Sequence, residues 1–302
     1  IDANTAKIIE AIERAKASSA DVVVFAEQAV SGTPAFDLLR KTTFLELCED
    51  ALERIASHCD TITAIVGSPI LTIDGTLSAA VVMAHGRMMR YVTKRRITAR
   101  REMGFLNDGG GVETIYLAGR KVALVVGDDF RALGTIDPEA DMVININSRR
   151  YGKGVLSRRY QTVHDVAYIQ SKCVVLVNQV GGSGEIVYDG TSGVVNRKGE
   201  PVLLMKSFEE DFVIFDTLAE HNPIKVPYTT YNDRVRLVYQ AACLGLRDYF
   251  QKNGYKKACV GLSGGIDSAV VACIAVGALG KENVRVLLMP SPFTPNSSVE
   301  DA

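Results

Sequence analysis

The chain has 302 residues, 47% hydrophobic and 23% charged, with a formal net charge of −1. That is the make-up of an ordinary soluble globular protein with room for about two domains of roughly 100–200 residues each, and it gives no footing for wholesale nucleic-acid binding or, with every long apolar run broken by Gly, Ser or Asp, for a membrane-spanning helix. Six cysteines lie scattered without a CxxC pair, which argues against a zinc site or a disulfide framework and favours reduced, mostly buried thiols in a cytoplasmic protein.

The chain opens on Ile1-Asp2-Ala3-Asn4, already polar, so no secretory signal is expected. Ile8, Ile9 and Ile12, with Ala11 and Ala15, have helical spacing. Strand-like runs follow at 21–25, 63–66, 79–83 and 88–92, with a helical stretch over 36–58 after the first. Runs at 121–126, 142–146 and 173–177 are short, apolar and β-branched, as suits strands buried on both faces. A polar helix is expected over 154–171, and hairpins over 185–198 around Asp189-Gly190 and Lys198-Gly199. The apolar run 212–215 closes this first unit. Residues 221–228 carry Pro223 and Pro227 in a polar context and read as a linker. Beyond it come a helix over 232–252, a strand over 258–262, a Gly-rich turn, a helix over 268–279 and a strand over 284–289, which make a βαβ unit. The opening helix stands where a strand is usual, and 297–302 read as a helix start, so a piece of a longer protein is expected.

The most specific motif is Gly261-Leu262-Ser263-Gly264-Gly265-Ile266-Asp267-Ser268, where strand passes to helix. Two glycines let the backbone approach an oxyanion, and the turn's N–H groups with those of the first helical turn form a phosphate cradle. Ser263 and Ser268 can add hydroxyl donors. Asp267 beside phosphates is explained by a magnesium ion. No Lys follows at Walker A spacing, and the Gly-x-Gly-x-x-Gly of a dinucleotide fold is absent. The plain alternative is a capping turn with Asp267 or Ser268 as N-cap. The motif resembles the SGGxDS loop of the PP-loop ATP pyrophosphatases. Met289-Pro290-Ser291-Pro292-Phe293-Thr294, ending Ser297-Ser298-Val299-Glu300-Asp301-Ala302, narrows this, because it resembles the MPS…S…S…DA segment of NAD synthetases.

Residues 1–220 resemble the nitrilase-like glutaminase domain of glutamine-dependent NAD synthetases. Val177-Asn178-Gln179-Val180-Gly181-Gly182 and the following 185–192 resemble that family's VNQVGG…E.VFDG.S, and Val24-Phe25-Ala26-Glu27 stands where the family has VFPE. Such amidases use a glutamate as general base, a lysine against the tetrahedral oxyanion and a cysteine as nucleophile. Glu27 falls on the glutamate position; a solvated strand-end carboxylate is the bland reading. Lys94 falls loosely on the lysine position, in the basic neighbourhood of Arg95, Arg96, Arg100 and Arg101, so a solvated surface lysine is an equal reading. After 121–126 the chain has Gly127-Asp128-Asp129 where the family has its cysteine and two acids, so Gly127 occupies the nucleophile position. Asn147-Ser148-Arg149-Arg150 departs from the family pattern by two arginines. Cys48-Glu49-Asp50 imitates the missing letters, but its helical spacing puts Cys48 on a buried face as an inert core thiol.

The resemblance implies a four-layer α-β-β-α sandwich over 1–220, the linker 221–228, and over 229–302 the opening of a doubly wound α/β domain. It implies an NAD synthetase: ATP and Mg²⁺ adenylate deamido-NAD, and ammonia then displaces AMP. With Gly127 in place of cysteine, the expected nitrogen source is ammonia rather than glutamine. The first domain would then be a non-catalytic assembly module, with an amidase using another nucleophile as the remaining alternative. The family also implies a homo-oligomer, and neither nucleic acid nor membrane as partner. Residues that bind deamido-NAD are expected mostly beyond Ala302.

Overall fold

A computed structural model describes the chain except residues 99–101, 132, 220, 228–229 and 231. Arg100 and Arg101 of the basic stretch and Tyr228 of the linker therefore lie outside the described residues. The chain divides into two compact units, one of residues 1–180 and 188–230, the other of residues 181–187 and 231–302.

The first unit begins with α1 (Asp2–Ala17), which lays Ile8, Ile12 and Ala15 on one buried face. The strand β1 (Val22–Val24) pairs in parallel with β2 (Thr63–Thr72), and β2 continues antiparallel to β3 (Gly75–Ala84) and β4 (Arg87–Thr93). Between β1 and β2 the stretch read as one helix is a 3₁₀ turn (Phe36–Arg40) followed by α2 (Thr42–Ala56). Both helices cover one face of this four-stranded sheet, and their apolar stripes meet Ala64, Val66, Ala79, Val81 and Met83 in one core.

A second sheet takes the order β12-β11-β8-β7-β6-β5. Its strands are β5 (Glu113–Leu117), β6 (Arg120–Val126), β7 (Met142–Asn147), β8 (Cys173–Asn178), β11 (Gly193–Val195) and β12 (Pro201–Leu204). The parallel β6-β7-β8 centre explains why these runs are largely apolar: both of their faces are covered. One face meets the first sheet, where Ile65, Ala80, Val82 and Val92 pack on Val122, Leu124, Val126, Ile144 and Ile146. The other carries α3 (Val155–Gln170), whose Val163, Val166 and Ala167 pack on Ala123, Val125, Val143 and Val174. Helices, sheet, sheet, helix is the four-layer α-β-β-α sandwich.

A short pair, β9 (Val180–Ser183) with β10 (Ile186–Asp189), carries the 181–187 turn that belongs to the second unit. There Asp248 accepts a hydrogen bond from the Gly182 N–H at 2.6 Å. Asp248 lies on α4 (Arg234–Lys252), whose N-cap Asp233 accepts from the Arg236 N–H. The rest of this unit is β13 (Ala258–Gly261), α5 (Ile266–Leu279), β14 (Val284–Leu287) and α6 (Asn296–Asp301). β13 and β14 are parallel with α5 as the crossover, the βαβ unit that opens a doubly wound domain. No described helix is long and apolar enough to cross a membrane.

Candidate functional site

Glu27 follows β1 and is fully buried. Its Oε1 accepts from Ser78 Oγ at 2.9 Å and from Lys94 Nζ at 3.0 Å. Its Oε2 accepts from the Ser148 N–H at 3.1 Å and Ser148 Oγ at 2.9 Å. These four donors match the four lone-pair sites of a carboxylate. Lys94, just past β4 and 5% exposed, also donates to Glu102 Oε2 at 3.0 Å. Burial alone would pull the Lys94 pKa down; the charges and hydrogen bonds of Glu27 and Glu102 outweigh it and hold the ammonium protonated, with its pKa raised. The lysine is therefore an internal ion-paired group and not a solvated surface one.

Gly127 opens a 3₁₀ turn directly after β6 and has φ +63°, a left-handed conformation that suits glycine. A β-carbon built on it would stand 2.6 Å from Cε and 2.9 Å from Nζ of Lys94, and 3.3 Å from Oε2 of Glu27. The three sequence-selected positions thus meet at one point. The turn is held from behind: Asn145 and Asn147 donate to the Gly127 carbonyl at 3.0 and 3.3 Å. Arg149, one of the two unusual arginines, pairs with Asp128 at 2.5 Å. Asp129 accepts from the Arg95 N–H, so it fixes the segment that carries Lys94; partial burial pushes its carboxyl pKa up, against that hydrogen bond. The cavity beside this turn, lined by Asp128, Asn145, Asn147, Arg149 and Arg159, is only about 20 Å³.

Cys48 is fully buried on α2, and burial pushes its thiol up to about 11. Cys59 and Cys173 are likewise pushed up to about 11 by burial. None of them touches the Glu27 cluster through a described hydrogen bond, and Cys259 and Cys273 are exposed in the second unit. Glu102, Ser78 and Ser148 were not selected from the sequence. Glu102 lies eight positions past Lys94, whereas Ser78 and Ser148 reach Glu27 from 51 and 121 positions away with no local signal.

In the second unit the glycine-rich loop runs from Gly261 and Leu262 through Ser263, Gly264 and Gly265 into the first residues of α5, Ile266, Asp267 and Ser268. Gly265 stands at the N-cap without a side-chain cap bond, so neither Asp267 nor Ser268 caps the helix. Ser268 Oγ takes a bond from the Ser263 N–H at 3.2 Å, lies 3.0 Å from Ser263 Oγ, and donates to the Gly265 carbonyl at 2.8 Å. Two hydroxyls and a run of N–H groups are thereby gathered at a helix start, a setting that attracts phosphate. A β-carbon on Gly264, at φ +76°, would stand 2.1 Å from the Ser298 carbonyl oxygen. Glycine at this position is what brings the 289–302 motif against the loop. Among the described residues no group of three or more His, Cys, Asp or Glu is placed to hold a metal ion. A loop with one exposed carboxylate, Asp267, suits Mg²⁺ carried mainly by nucleotide phosphates and water.

Residues 238–302 match the family model described as NAD synthase. The glutamine-dependent NAD(+) synthetase of Xanthomonas campestris pv. campestris is 33% identical over 305 residues, 96% of this chain and 55% of the relative. That of Thermotoga maritima is 30% identical over 349 residues, all of this chain and 60% of the relative. The chain thus spans little more than half the length of the curated relatives it matches. Among solved structures, the glutamine-dependent NAD+ synthetase of Acinetobacter baumannii in complex with ADP superposes with a TM-score of 0.87 at 32% identity, covering 99% of this chain and 58% of that one. An amidase from Nesterenkonia sp. shares the fold, with a TM-score of 0.61 at 18% identity over 68% of this chain and 80% of its own.

Proposed function

Because the chain belongs to the glutamine-dependent NAD(+) synthetase family, we propose that the protein makes NAD from deamido-NAD and ATP with ammonia, and not glutamine, as its nitrogen source. The synthetase half of this reading rests on the loop 261–268 and the 289–302 segment lying within the residues that the NAD synthase family model matches. The nicotinate carboxylate of deamido-NAD attacks the α-phosphorus of ATP, and the bond to the β-phosphate oxygen breaks. Loop N–H groups and the hydroxyls of Ser263 and Ser268 hold the phosphates that leave as pyrophosphate. Mg²⁺, held in part by Asp267, would supply charge to those phosphates. Ammonia then attacks the acyl carbon, AMP leaves with the bonding electrons, and loss of a proton gives the amide. Residues for deamido-NAD are not assigned within this chain.

The nitrogen-source half rests on one observation: Gly127 stands where a β-carbon would lie within 3.3 Å of both the Glu27 carboxylate and the Lys94 ammonium. A covalent amidase step needs a nucleophilic side chain at such a point, and glycine has none. The first unit would then serve packing or homo-oligomeric assembly.

The test is NAD formation by the intact protein from deamido-NAD, ATP and Mg²⁺, with glutamine in one reaction and ammonium in the other. Product with ammonium alone supports the reading. Equal rates with glutamine would overturn it and require another nucleophile.

A further inference from the structure

The cluster around Gly127 keeps its charged groups but has lost the room to use them. Lys94 lies in the space that a side chain at 127 would need, since a β-carbon there would be 2.6 Å from Lys94 Cε. A lysine tip on a surface would swing away at little cost. This one is held by Glu27 and Glu102 at 3.0 Å each and is 5% exposed, so moving it breaks two buried ion pairs. Glu27 has no vacant acceptor site: Ser78, Lys94 and Ser148 supply four donors.

We infer that this cluster is a sealed ionic joint between the two sheets, in which Lys94 has taken the place of the side chain missing at 127. Glu27, Ser78 and Lys94 come from the first sheet and its connections. Ser148 comes from the end of β7 in the second sheet, and Gly127 from the end of β6. The carboxylate of Glu27 is the shared anchor, and its bonds to Ser148 tie one sheet to the other. Every residue involved lies in the first unit, so the inference stands or falls apart from the synthetase reading.

The joint makes a prediction that a merely disarmed catalytic site does not. In a site lacking only its nucleophile, Gly127→Cys would fit beside an accommodating lysine and restore glutamine hydrolysis. In a sealed joint, Gly127→Cys displaces Lys94 from its carboxylates. The experiment compares four forms of the protein: wild type, Gly127→Cys, Lys94→Ala and the double variant. Thermal midpoint and glutamate release from glutamine are read for each. The joint predicts that Gly127→Cys releases no glutamate and lowers the first-unit midpoint by roughly 5 °C or more; because φ +63° strains any side chain at 127, the part of that loss owed to Lys94 is read from the double variant. It also predicts that the second substitution costs less in the presence of the first, because shortening Lys94 makes room for the thiol side chain. Should Gly127→Cys not fold, recovery of folded protein in the double variant carries the same information. A Gly127→Cys protein that melts with the wild type, or that hydrolyses glutamine, or strictly additive losses in the double variant, would overturn the joint.

Discussion

Gln28 shows how local chemistry at this end of the sandwich departs from what stability alone would select. It follows Glu27, is 1% exposed, has φ +56°, and neither oxygen nor nitrogen of its amide finds a partner among the described residues. A buried amide without partners costs about 1–3 kcal/mol. Gln28→Leu keeps the shape and removes the orphaned polar atoms, so it should stabilise the protein by about 1–2 kcal/mol. A higher urea midpoint with an unchanged denaturant slope would show it; a lower one would mean the amide has a partner that matters. The thiols allow a second prediction with a definite sign. Burial raises Cys48 and Cys59 from 9.0 to about 11, so the folded state keeps these protons to higher pH than the unfolded state does. Their contribution to stability is whole below the unfolded value near 9 and falls as pH rises towards about 11. Urea midpoints should therefore drop between pH 8.5 and 10.5, and by less in Cys48→Ala measured against its own low-pH value. At pH 8, iodoacetamide should modify Cys259 and Cys273 before either buried thiol.

At the scale of elements, the central strands of the second sheet stand out in the sequence because their burial is two-sided, whereas β4, also read from the sequence, buries only its last two residues. β6, β7 and β8 are rich in Val, Ile and Leu because helix covers one face and sheet the other, with the buried Asn145 and Asn147 of β7 as exceptions. β5 and β12 are edge strands of the same sheet: β5 alternates exposed or half-buried with buried positions, and β12 is only four residues long, its apolar Val202-Leu203-Leu204 too short to stand out. The run 212–215 is the converse: Val213 and Ile214 are 41% and 48% exposed, and it forms no strand. Glu27, Lys94 and Gly127 were legible as positions through the resemblance to the nitrilase-like glutaminase domain, and each lies just past the end of a strand. Their hydrogen-bond partners were not, because serines at 78 and 148 meet Glu27 only through the stacking of two sheets. The loop 261–268 was legible because its pattern is local, one turn between strand and helix. Gly264→Ala tests that locality. The methyl would collide with the Ser298 carbonyl and strain a left-handed φ. Hydrogen exchange across 296–301 should speed up and ATP affinity should fall tenfold or more, while exchange in β6–β8 stays unchanged. An unaltered 296–301 would mean that the loop and the last helix tolerate side chains between them.

For the whole molecule, the division into two units lets a ligand's effect be sought in each. A ligand stabilises the fold that binds it by about 2.7 kcal/mol when its concentration is a hundred times Kd; if the units unfold separately, only one transition should move. If the phosphate loop binds ATP, calorimetry with ATP and Mg²⁺ should raise the transition of the second unit and leave that of the first in place. Glutamine should move neither, because the Glu27 carboxylate is saturated and Lys94 fills the space beside Gly127. The two arms fail independently. A first-unit transition that rises with glutamine would mean that the pocket still admits an amide, so the loss at 127 would be one of chemistry and not of binding. A second-unit transition indifferent to ATP would place nucleotide recognition outside residues 261–268, whatever the nitrogen source proves to be.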